Sequence, residues 1–227
     1  MRLATLLIPG LIAAAAIAAP ATAATPRELL ITAAYQTTDK KAALALVGQA
    51  VAGAEATLAA HPGDREALLQ HALGIGYRAK LTRHPADAKT SRRLFEQLVA
   101  LDPRNAEFQL ALGGWHLDAI ADGFLTATVL GAKRDLGLTG VDRAVALGGN
   151  RAFFRGLAAM MRIRLDPADP AAARGLAEAA IAAPAPTGLD RLVQRQAQAL
   201  LGPLRGGDGK AAAVLARTLL PFGRLAR

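Results

Sequence analysis

The sequence predicts an all-α fold, with antiparallel helical hairpins stacked in order along the chain. Three observations carry this. Alanine and leucine dominate the 52% hydrophobic content while aromatics are only 4%, which favours helices and leaves few of the residues that fill strands. Apolar residues recur at steps of three and four through most of the chain, the spacing of one helical face. Between those runs lie proline, glycine and aspartate, which stop one helix and cap the next.

Residues 1–23 stand apart. Met1-Arg2 gives a short positive start, Leu3 to Ala19 an apolar run, and Ala21-Thr22-Ala23 a small-x-small cleavage pattern. This reads as a signal peptide, leaving a single helical domain over 24–227 that is periplasmic or secreted. At about 17 residues the apolar run is marginal for spanning ~30 Å of hydrocarbon, and a retained anchor is the alternative.

The expected elements follow in order. Pro26 opens a short helix to Gln36, with Leu29, Leu30, Ala33 and Ala34 on one side. Asp39 caps a helix through Ala60 whose face is Leu44, Val47, Val51, Ala54 and Leu58, ended by His61-Pro62-Gly63. Asp64 caps Arg65 to Leu81. A polar loop is expected over Thr82 to Thr90, then a helix from Ser91, its cap, to Leu101. Arg104 to Ala121 is the next helix, followed by the apolar insertion Gly123 to Lys133, expected as an added helix over the core or a flap across a groove. A helix carrying Ala144 comes next and turns at Gly149. Asn150 is expected to cap a helix to Leu165, and Pro170 to Ala183 its partner, buried through Ala172, Leu176 and Ala179. Leu189 to Leu201 and Lys210 to Leu220 complete about ten helices in five hairpins, with a frayed tail from Phe222.

Within this order, Leu73-Gly74-x-x-Tyr77, Phe95, Leu98 and Pro103 resemble the tetratricopeptide (TPR) pattern, and Leu112-Gly113-x-x-His116 repeats its start. The 34-residue frame is kept if about five residues are inserted after the first motif and about twelve after the second. The resemblance covers Ala42 to Leu220 in degenerate form. It implies paired helices, with the motif glycine admitting the partner helix and the inner helices lining a concave surface that binds a protein or peptide.

Composition excludes several chemistries. With no cysteine there is no disulfide, thiolate metal site or thiol nucleophile. Ser91 is the only serine and has no Gly-x-Ser-x-Gly context. The four histidines lack metal-binding spacing; His116 with Asp118 and Asp122 is the one cluster to inspect for an enzyme. No phosphate loop, dinucleotide fingerprint or cofactor motif occurs, and no enzyme activity is expected.

The net charge of +9 and pI near 10.8 favour acidic partners or an anionic membrane surface. Without interleaved aromatics, nucleic acid is not expected. Candidate contact residues are Trp115 and His116, Tyr77, and two basic groups. Arg151, Arg155 and Arg162 fall within about forty degrees on a helical wheel. Arg92 and Arg93 lie beside Arg78, Lys80, Arg83 and Lys89. The leading functional reading is an exported interaction or assembly module. The second is the accessory of a solute-uptake transporter, resembling the TPR-like periplasmic component of TRAP systems, with a ligand-bearing pore. A lined apolar channel near Trp115 and Phe124 favours the second, a shallow open groove the first.

Overall fold

The computed structural model describes residues 23–225; the expected signal segment, up to residue 22, lies outside them. The described chain forms α1 Pro26–Tyr35, α2 Lys40–Ala60, α3 Arg65–Thr82, α4 Pro85–Leu101, α5 Ala106–Ala121, α6 Phe124–Leu130, α7 Arg134–Leu147, α8 Ala152–Leu165, α9 Pro170–Ala182, α10 Gly188–Arg205 and α11 Gly209–Leu219. The regular structure among the described residues is all helical. The helices pair as α1/α2, α3/α4, α5/α7, α8/α9 and α10/α11, and each pair packs on the next, as in a short helical solenoid.

Local chemistry explains the starts. Asp39, Asp64, Asn105, Asp169 and Asp208 each accept a hydrogen bond from a first-turn N–H, while Thr25 and Thr187 form capping boxes with Glu28 and Asp190. Such a cap is worth about 1 kcal/mol. The α2 helix is apolar enough by length and composition to cross a membrane, with mean hydropathy 1.4; its Ala43, Val47, Ala50 and Ala54 are buried against its neighbours.

The closest helix crossing joins α5 and α7. A Cβ on Gly113 would lie 2.7 Å from the Val141 backbone nitrogen, and one on Gly140 2.9 Å from the Gly113 Cα. Here the motif glycine admits the partner helix as expected. Gly74 instead faces the preceding helix, where an added Cβ would lie 2.5 Å from Val51 Cγ2, and it is Gly76 that meets Ser91 on the partner α4.

Several expectations need correction. The polar segment 82–90 is mostly helix, because Pro85 sits in the first turn, where a proline starts α4 rather than breaking it. Only Arg83, left-handed at φ 56°, and His84 connect α3 to α4. Ser91 is therefore not a cap: it lies inside α4, fully buried, donating to the Ala72 carbonyl at 2.9 Å. Asn150 does not cap α8 either; its side-chain oxygen accepts from Arg155. The amides of that helix end that lack a partner within the helix are satisfied from outside it, Ala152 by the Pro184 carbonyl at 3.1 Å and Phe153 by Asp190 at 3.1 Å. In α9 the buried face is one residue out of the expected phase, namely Ala173, Ala177 and Ala180. The insertion is a helix, α6, but it buries no residue and so does not cover the core.

The expected frayed tail is also overturned up to Leu225, residues 226–227 lying outside the described residues. Phe222 is buried, its N–H donates to the Ala34 carbonyl at 2.8 Å, and its ring meets Tyr77 edge-on with centroids 4.9 Å apart. Phe222 and Leu225 share one core cluster with Leu30, Ala33 and Tyr35 of α1 and with Leu189 and Leu192 of α10. The last hairpin thus reaches back to the first, and the helical series closes on itself.

A candidate ligand chamber between the inner helices

Closure leaves a space of about 1480 Å³ between the first helices of the hairpins. Its apolar wall comes from Leu30 and Ile31 on α1, Leu73 and Tyr77 on α3, Leu110 and Trp115 on α5, Leu157 and Met161 on α8, and Phe222 of the terminal turn. Leu73 and Tyr77 on α3 and Leu157 and Met161 on α8 each stand four residues apart, on one face of their helix. Leu125, Thr126, Val129 and Leu130 place α6 at the edge of this space, with Arg83, His84 and Ala88 also on its lining.

Lys80, Asp118, Asp122 and Arg164 on this wall are paired with one another, whereas Lys40, Arg83 and Arg217 on the same lining form no ion pair among the described residues. Lys80 Nζ lies 2.8 and 2.7 Å from the two Asp118 oxygens, while Arg164 donates to Asp118 and, at 2.5 Å, to Asp122. Burial works against the Asp118 charge, but Lys80 and Arg164 hold its pKa below the usual carboxylate range. This network ties α3, α5 and α8.

A second network runs across the N-terminal ends of the inner helices. Arg27 of α1 donates to Glu66 of α3 at 2.7 and 2.6 Å and to Glu107 of α5 at 2.7 Å. Arg151 at the start of α8 lies 4.0 Å from Glu107 and donates at 2.9 Å to Asp190 of α10. The three carboxylates sit in first turns, where the helix dipole favours negative charge. Asp190 is fully buried; burial disfavours its charge, but Arg151, Thr187 and the Phe153 N–H bring its pKa below the ordinary value. Sequence reading missed this chain of ion pairs. Its only signal was a carboxylate in the first turn of α3, α5 and α10, which α1, α4 and α7 also carry.

The structure separates the candidate contact residues. Trp115 borders the chamber, yet its indole N–H donates to the Ala88 carbonyl at 3.1 Å and Arg92 lies 5.5 Å over its ring, so it is fastened to α4. Tyr77 also borders it, and burial with nearby Asp118 pushes its phenol up to about 12. His116 does not face the chamber. It is buried, Nδ1 accepts the Lys133 N–H at 3.2 Å, and Nε2 has no hydrogen-bond partner among the described residues. Burial, with Arg92 and Lys133 nearby, lowers its pKa to about 4. His116 and Asp118 point to different sides of α5 and do not meet, and among the described residues no group of His, Asp or Glu is arranged to hold a metal ion.

The basic stripe is not an open cationic surface. Arg151 is committed to Asp190, Arg155 to Asn150 and Arg162 to Asp142. Arg92 donates to the Leu130 and Gly131 carbonyls at 2.8 and 3.3 Å, and exposed Arg93 only to Thr90 on its own helix. Comparison with protein-family models, curated proteins and solved structures finds no match to this chain.

Proposed function

We propose that this chain is a TPR-like binding protein without catalytic activity, which holds an apolar ligand in the chamber between its inner helices. The observation that carries the reading is closure: with Phe222 bonded to Ala34, the helix series meets end to end and leaves a deep, partly open chamber on its concave side. A concave, largely apolar space with polar groups on its lining is the usual form of a small-molecule site. The apolar wall favours a ligand with a largely apolar body. With the export signal read from residues 1–23, this fits a periplasmic accessory of a solute-uptake system of the TRAP type.

Recognition of a protein segment is the second reading. One observation favours it: about 1480 Å³ exceeds the roughly 300–1,000 Å³ of small-molecule pockets, leaving room for an extended peptide. The absence of any convergence between His116 and Asp118 weighs against an enzyme.

Native mass spectrometry tests the reading. The protein purified from its own envelope is expected to carry an apolar molecule of defined mass. Ala111→Trp, which fills the chamber from α5, is expected to lose it while keeping its helical circular dichroism. Equal retention by the folded variant would contradict the proposal, and a captured peptide would favour the second reading.

A further inference from the structure

The α6 helix is the most exposed apolar element described. Phe124 is 82% exposed, Leu125 77% and Val129 56%, in a helix with no buried residue. On a helical wheel Phe124, Thr128, Leu125 and Val129 follow one another within about 140°. The one polar member is already satisfied, since the Thr128 hydroxyl donates to the Phe124 carbonyl at 2.9 Å. The face therefore has no side-chain donor that needs water.

Cations surround it. Arg92 bonds the last carbonyls of α6, exposed Lys133 and Arg134 follow it in the chain, and exposed Lys89 and Arg93 flank Arg92 on α4. Arg83 shares the chamber edge with α6. The nearby carboxylates are fewer: Glu96 lies 3.4 Å from Arg92, Asp166 lies 3.5 Å from Arg134, Asp122 is held by Arg164, and Asp135 is exposed in the first turn of α7.

We propose that α6 docks on an anionic lipid bilayer, with Phe124, Leu125 and Val129 in the acyl boundary and the surrounding lysines and arginines on the headgroups. An amphipathic helix with a basic surround lies in this way at a depth of about 5–10 Å. Size favours a bilayer over a protein: seven residues at about 1.5 Å each make a helix about 10 Å long and about 10–12 Å across, an outline on the order of 100 Å², far short of the ~800 Å² per partner that a stable protein interface buries. The inference goes beyond the chamber reading and adds a route to it, since α6 borders the chamber and its docking would bring that edge to the membrane.

The chain has no cysteine, so Thr128→Cys gives a unique site for an environment-sensitive fluorophore while leaving the three anchors in place. The full chain is mixed with vesicles of phosphatidylcholine, with or without phosphatidylglycerol, carrying nitroxide-labelled acyl chains. The label is expected to shift to the blue and lose roughly half its emission or more on anionic vesicles, and much less on neutral ones. A label at Glu178→Cys on α9 is expected to stay in water, and Lys89→Glu with Arg93→Glu to weaken quenching at Thr128. The proposal is overturned if the Thr128 label stays water-exposed on anionic vesicles. It is equally overturned if that label is buried only by self-association without lipid, or only by a protein from the envelope. The readout is local to α6 and needs no chamber ligand, so its failure leaves the chamber reading standing.

Discussion

The Phe222 amide donates to the Ala34 carbonyl across 2.8 Å, joining the turn after the last helix to the end of the first. Phe222 holds a positive φ of 64° to do so. A non-glycine residue in that region is strained by of order 1–3 kcal/mol and persists only where its surroundings fix it. Here they do: the ring packs on Tyr77, and a Cβ on the next residue, Gly223, would stand 2.1 Å from the Arg217 carbonyl.

Phe222→Ala is therefore expected to destabilise the fold by about 3 kcal/mol, at the lower end of Phe→Ala losses in cores. Urea denaturation checks the size. Hydrogen exchange checks the place, since the residue-222 amide should lose protection before the amides of α5 do.

The three arginines of the α8 stripe are expected to behave differently. Arg151→Ala leaves Asp190 buried with only Thr187 and the Phe153 N–H, and breaking such a pair costs about 3 kcal/mol or more. Arg162→Ala removes a partly exposed pair with Asp142 and should cost under about 1 kcal/mol, and Arg155→Ala should be similar. Thermal unfolding of the three single variants checks this order.

His116 sets a pH dependence. Its folded pKa of about 4 lies below the ordinary 6.5, so the unfolded chain takes up the proton first. Its contribution to stability is complete above about pH 6.5 and is lost as pH falls toward 4. Between pH 7 and pH 5 the wild type should lose more stability than His116→Asn, whose side-chain oxygen can still accept from the Lys133 N–H. Equal losses in urea titrations would contradict the buried neutral imidazole.

Gly113→Ala places a methyl group against the backbone of α7, which no rotamer change relieves. A loss of about 2–3 kcal/mol is expected, within the range for overpacking. Gly48→Ala, where an added Cβ meets nothing within 4 Å, should be stabilising by several tenths of a kcal/mol. Denaturant midpoints of the two variants check the contrast.

The hairpins were legible because each depends on local chemistry: an apolar period, an aspartate before it and a proline or glycine after it. Asp39 and Asp64 cap as expected. The polar stretch 82–90 misled because a proline that opens a helix and one that interrupts it look alike without the backbone. The chamber was legible as an alternative, an apolar channel near Trp115 and Phe124, of which Trp115 lies on the lining and exposed Phe124 does not. Its closure was not, since a phenylalanine at positive φ after a final helix carries no sequence signal. Nor were the ion pairs, because Arg27 and Glu107 are 80 residues apart and Arg151 and Asp190 are 39. Distances of that kind are set by how the hairpins stack, which local spacing does not encode.

The chamber itself is tested most directly through Trp115, the single tryptophan, which stands on its wall. N-phenyl-1-naphthylamine, an apolar fluorescent probe, is titrated into the protein without lipid, and energy transfer from the indole is recorded. The account predicts saturable transfer, with affinity at least tenfold weaker in Ala111→Trp when probe emission is followed directly. Saturable binding left unchanged by Ala111→Trp, or no saturable binding in the wild type, would contradict a ligand held between the inner helices.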